Sequence, residues 1–148
     1  MKHMHLETRV EAPVEHVWNF YCDTAHWGDW MPRGKFSEFS GPVDKVGTTY
    51  VMAMKIMGYE MKATTEVKEV EPLRLIHEHS DYGPEDNYIR FEPDGEATKV
   101  VVDSDWDMPG KVPGFIKDLI SKGWMERSSR QMLEDFKALA EARVPAHA

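Results

Sequence analysis

His77 and His79 stand two residues apart in LRLIHEHS. On a β-strand that spacing turns both imidazoles to one face. Imidazoles placed so can shuttle protons near neutral pH or supply half of a zinc site. A third metal ligand would have to come from a distant strand, where Asp103 or Asp105 is available. The plainer reading is a pair of polar side chains at a strand end or in the polar part of a cavity, so no metal is expected. His3 and His5 repeat the spacing close to the N-terminus and carry less weight. Asp103, Asp105 and Asp107 share one face of VVDSDWDMPG. Three inward carboxylates without partners would be too costly to bury. They are therefore expected in solvent, with Val100, Val102, Ser104 and Trp106 inward. Cys22 would be a nucleophile only beside a base, and a lone cysteine reads better as a small buried hydrophobe. Arg90 could hold a ligand carboxylate if it faced inward; its strand pattern instead places Ile89 and Phe91 inside. No nucleophile elbow, P-loop or dinucleotide fingerprint occurs, and no cofactor is expected.

The remaining constellation is largely apolar. Tyr50, Met52, Met54, Tyr59 and Met61 come from successive strands and are joined there by His77 and His79. Ile116, Ile120 and Trp124 come from a C-terminal helix. Apolar walls with a few polar groups fit a small-molecule pocket, and the Tyr59 hydroxyl adds a third possible proton carrier. The alternative is that these residues simply fill a core. The same choice applies to DTAHWGDWMPRG, where Trp27 and Trp30 lie three residues apart. Both are expected to pack in the core, with Trp27 also a candidate ligand contact.

These residues need elements to position them. Residues 3–10 alternate as an edge strand. A helix follows, with Pro13 suited to its first turn and Val14, Val17, Trp18 and Tyr21 forming one apolar stripe. Asp23 can cap a second short helix carrying Trp27 and Trp30. YEMKATTEVKEV alternates cleanly, with one buried and one wet face. Met57-Gly58 and Asp94-Gly95 mark hairpins, and Glu71-Pro72 marks a break. From Pro113 to about Arg143 the pattern is helical. Its stripe changes face near Gly123, so the helix is either kinked there or touches different partners along its two halves. Only one long helix is available to cover a sheet of about six strands, which must twist and curl.

A chain of 148 residues fits one domain, residues 1–148. One cysteine excludes an internal disulfide and favours a reducing, cytoplasmic setting. No apolar run reaches membrane-spanning length, and MKHMHLETRV lacks the apolar core of a signal peptide. The formal charge of −8 argues against nucleic acid or an anionic membrane surface as partner. The ten methionines favour a soft, adaptable interior.

The chain resembles the START-like superfamily, also called SRPBCC. The resemblance rests on APVEHVWNFYCD, WGDWMPRG, the Glu-Pro break, the Asp-Gly hairpin and the long C-terminal helix. It spans essentially the whole chain. It implies an α+β helix-grip fold: a seven-stranded curved antiparallel sheet wrapped round the C-terminal helix, with two short helices after the first strand. It also implies an internal apolar cavity. It carries over no universal catalytic residue; the matching positions Pro13, Val17, Trp18, Trp27, Trp30 and Pro32 look structural. Two functional readings follow. One is binding or transport of a hydrophobic small molecule (a lipid, isoprenoid, polyketide or aromatic metabolite). The other is a polyketide cyclase/dehydratase-type enzyme with His77, His79 or Tyr59 as proton shuttle.

Overall fold

The computed structural model describes residues 2–81, 85–108 and 110–144. Seven strands form one sheet in the order β1-β7-β6-β5-β4-β3-β2. They are β1 (Lys2–Val10), β2 (Gly34–Ser37), β3 (Thr49–Ile56), β4 (Tyr59–Glu71), β5 (Leu75–Ser80), β6 (Glu85–Asp94) and β7 (Ala97–Trp106). Every pairing is antiparallel. β1 and β2 are the two edges. Helix α1 (Val14–Cys22) and a 3-10 turn, Thr24–Asp29, follow β1, while α2 (Gly114–Ser121) and α3 (Trp124–Ala142) follow β7. This is the helix-grip arrangement.

Local chemistry accounts for the joints. Met57 and Gly58 both take positive φ, 51° and 85°, which gives the β3–β4 hairpin the tight turn that matches strand twist. A bulge between Val67 and Glu69 shifts the β4–β5 register by one residue. Bulges sharpen twist, and this one bends the longest strand round the core.

Three details differ from the pattern in the sequence. The second short helix is a 3-10 turn, and Asp23 precedes it without making a side-chain capping bond. Trp27 faces inward from that turn, but Trp30 lies just beyond it. The buried face of α1 is wider than its stripe, because Phe20 also turns inward and meets Phe136 of α3 at 5.2 Å. Of the two alternatives for the C-terminal helical stretch the kink holds: it breaks where its stripe changes face, at Gly123, whose φ is 85°.

That last conformation suits glycine. A Cβ on Gly123 would also come within 3.2 Å of Arg127 Nη1. Gly123→Ala is therefore expected to destabilise the fold by about 1–2 kcal/mol, the left-handed strain of one non-glycine residue. A urea titration checks it; an unchanged midpoint would mean that the break does not depend on this torsion.

The interior divides into two apolar clusters. The larger holds the aromatic side chains of α1, the 3-10 turn, β3, β6 and α3. The smaller gathers Ile56, Trp106, Ile116 and Ile120 beneath α2.

Candidate functional site

Trp27 is the plug of the larger cluster. It is 1% exposed. Its indole donates to Tyr21 O at 2.6 Å, and its ring meets Phe36, Tyr50 and Phe39 edge-on at 5.0, 5.4 and 6.0 Å. Trp30 sits beside it, 5.0 Å from Phe136. Both tryptophans serve packing, and this end of the grip is filled.

The other end is not. A hollow of about 80 Å³ lies between the sheet and α2. Met52, Met54, Met61 and Ala63 supply its β3–β4 wall, and Ile120, Trp124 and Met125 its helical side. Ser80, Glu85 and Trp106 complete it from β5, β6 and β7, with Asp107 and the stem of Lys62 at the rim.

The structure separates the candidate residues. Met52, Met54, Met61, Ile120 and Trp124 come together round the hollow. Ile116 packs beside Ile120, while Trp27 and Tyr50 belong to the filled core. Tyr59 is half-buried and donates its hydroxyl to Lys111 O at 3.2 Å. His77 and His79 lie on the outer face of the sheet, a correction to their expected place in the wall. Their imidazoles share Asp86, at 2.8 and 3.1 Å, and His77 stacks on Tyr88 at 4.1 Å. The register decides this: Val67 pairs with Glu78 and Thr65 with Ser80, so the inward residues of β5 are Ile76, Glu78 and Ser80. Asp103 and Asp105 also lie outside, bonded to His5 and His3 at 2.6 and 2.8 Å, and Arg90 joins Asp103 at 2.9 Å. Among the described residues no group of three side chains could hold a metal. Cys22 is half-buried, and burial pushes its thiol up to about 12, away from the thiolate form a nucleophile needs.

Glu78 is the interior group that sequence reasoning missed. It is buried between its two outward histidines. Tyr21 of α1 donates to one carboxylate oxygen at 2.8 Å and Tyr50 of β3 to the other at 2.5 Å. Burial holds its carboxyl above the usual range, against the pull of both hydroxyls. Burial also raises Glu85; Asn87 opposes the shift, and the charges of Glu78 and Asp86 add to it.

These groups form two adjacent rows across the concave face. One row pairs Tyr50 with Thr65, Thr65 with Ser80, Ser80 with Glu85 and Glu85 with Trp106. The next pairs Val67 with Glu78, Glu78 with Asn87 and Asn87 with Ser104. Thr65 and Ser80 hydroxyls bond at 2.7 Å, and Ser104 donates to Asn87 Oδ1 at 2.5 Å. The sequence signals for these rows were the inward placing of Ser104 and Trp106, Tyr50 in the wall, and the buried face of β4; Glu78, Ser80, Glu85 and Asn87 had none. A polar seam thus separates the aromatic core from the methionine-lined hollow.

This layout matches known proteins along its length. The chain matches the family described as polyketide cyclase / dehydrase and lipid transport over residues 1–141. It belongs to that family. No curated protein sequence matches it. Among solved structures, the Zhui aromatase/cyclase from a Streptomyces species is 21% identical with a TM-score of 0.78, over 98% of this chain and 96% of that one. A Thermus thermophilus protein is 17% identical with a TM-score of 0.73, over 95% and 98%. Ara h 8.0201 is 8% identical with a TM-score of 0.70, over 96% and 99%. At these identities the structural likeness shows the fold alone, which is the helix-grip arrangement. No described helix of this polyketide cyclase-family chain is long and apolar enough to cross a membrane.

Proposed function

We propose that this family member binds a hydrophobic small molecule between α2 and the methionine-rich wall of β3 and β4. The observation that carries this reading is the hollow itself. It is lined by flexible thioethers and two indoles, while the larger cluster beside it is crowded with aromatic rings in mutual contact. Methionine walls adapt to guests of different shape. The volume, about 80 Å³, is well below the roughly 300–1,000 Å³ of ordinary ligand sites. A guest of more than a few heavy atoms therefore needs α2 to move. The helix is built for that: its buried contacts are Ile116 and Ile120, and Gly123 joins it to α3. The family description, which includes lipid transport, supports the same reading.

A cyclase-type reaction is the second reading. The observation favouring it is a partly buried carboxyl, Glu85, on the wall of the hollow, which its surroundings hold above the usual carboxylate range. Burial of this kind is how carboxyls become useful acids and bases near neutral pH. Such chemistry would not run through His77 or His79, whose rings face the opposite side of the sheet.

Ala63→Leu adds three carbons to the wall and tests the binding reading. The variant is expected to fold with wild-type or greater stability, because it fills space, and to bind apolar fluorophores at least tenfold more weakly. Unchanged affinity in a fluorescence titration would place the bound molecule elsewhere.

A further inference from the structure

Trp106 is 2% exposed, lines the hollow, and leaves its indole N–H without an acceptor among the described residues. A buried donor without an acceptor is costly, so the position gains from an oxygen that reaches it. Its cross-strand partner on β6 is Glu85, and Glu85's partner on β5 is Ser80. Directly opposed side chains have Cβ atoms roughly 5 Å apart. A donor, a carboxyl and a hydroxyl therefore stand side by side on one edge of an otherwise apolar cavity. Of the charged residues nearby, Lys62 turns its ammonium to Glu60 at 3.7 Å and Asp107 carries the same sign as Glu85, while the exposed Lys2 holds its ammonium over the Trp106 ring, 5.5 Å from the centroid.

We infer that Trp106 and Glu85 form a head-group site that selects apolar molecules ending in a neutral hydroxyl or carbonyl and rejects those ending in a carboxylate. The inference rests on the reading that the hollow binds an apolar guest. One hydroxyl satisfies both residues, accepting from Trp106 Nε1 and donating to Glu85. A ketone satisfies the indole alone. A carboxylate head would set a second negative group against Glu85 in a water-poor space, where like charges repel strongly. Specificity here comes from an unpaired donor that rewards the right head and a carboxyl that penalises the wrong one.

Three probes of one size separate the contributions: naphthalene, 2-naphthol and 2-naphthoate, titrated by calorimetry against the wild-type protein. 2-Naphthol is expected to bind at least tenfold more tightly than naphthalene, and 2-naphthoate more weakly than either. In ¹H–¹⁵N spectra the Trp106 indole resonance is expected to move downfield with 2-naphthol and not with naphthalene. Trp106→Phe should weaken 2-naphthol several-fold, towards the affinity of naphthalene, with Glu85 still there to accept from the hydroxyl. Glu85→Gln should raise 2-naphthoate affinity and keep 2-naphthol binding. If naphthalene binds as tightly as 2-naphthol, the head-group site is wrong while the apolar pocket stands. If 2-naphthoate binds best, the selection rule is overturned. If none of the three binds, both the head-group site and the pocket reading fail. The wild-type comparison needs no variant, so it holds even if Trp106→Phe does not fold.

Discussion

Replacing Trp27 with alanine is expected to remove about 3–5 kcal/mol of stability, the usual loss for truncating a buried tryptophan. Trp27 is 1% exposed and closes the filled end of the grip against Phe36, Phe39 and Tyr50. Its removal also strands the Tyr21 carbonyl that accepts its indole N–H. A domain of this kind holds only about 5–15 kcal/mol in total. At roughly 2–4 °C per kcal/mol for a chain of this size, the melting temperature should fall by on the order of 10 °C. Trp27→Phe should lose less, since a ring remains to meet its neighbours. Urea and thermal melts measure both. A loss under about 1 kcal/mol in Trp27→Ala would show that the surrounding rings collapse into the space, so that the residue is no plug.

The second large effect lies at Glu78. Glu78→Leu leaves the buried hydroxyls of Tyr21 and Tyr50 without their acceptor. At about 1–3 kcal/mol for each stranded group, the expected loss is about 4 kcal/mol. Glu78→Gln should behave differently, because its amide oxygen still accepts and no charge is buried. The sign of the pH effect follows from the raised carboxyl of Glu78. The folded state binds a proton that the unfolded chain releases at an ordinary carboxylate pH. The stability Glu78 contributes is thus fully present below that ordinary value and is lost as pH rises through its higher native value. The wild-type protein should therefore fall behind Glu78→Gln as pH climbs from 4 to 8. Melting curves across that range give the difference. A gap independent of pH would mean that the carboxyl titrates alike in folded and unfolded chains.

Much of the frame was legible because its signals are local. The alternation of β4, the turn at Met57-Gly58 and the stripe Val17, Trp18, Tyr21 each lie within a few residues and depend on side-chain period alone. Gly123 was legible for the same reason, as the point where the helical stripe changes face. The site was harder. In β5, Leu75 and Ile76 are adjacent apolar residues, and the next four are all polar, so a period of two has no phase to read. Only the long-range pairing with the bulged β4 turns Glu78 inward and the histidines out. A buried glutamate makes sense only once Tyr21 and Tyr50, from two other elements, are known to meet it. The extent of the hollow was also beyond local pattern. Sequence places large aromatic residues near the wall, but their tertiary stacking decides that one end is filled and the other left open.

The ends of the sheet carry a further consequence. An unpaired strand is a template on which another chain can add its own. β1, the longer of the two edge strands, keeps Lys2, His3, His5, Glu7 and Arg9 exposed along it, and Lys137 of α3 occupies the Arg9 carbonyl at 2.6 Å. At the opposite end β2 is four residues long. Charge guards one border and brevity the other, which favours a chain that stays free of strand-to-strand aggregation.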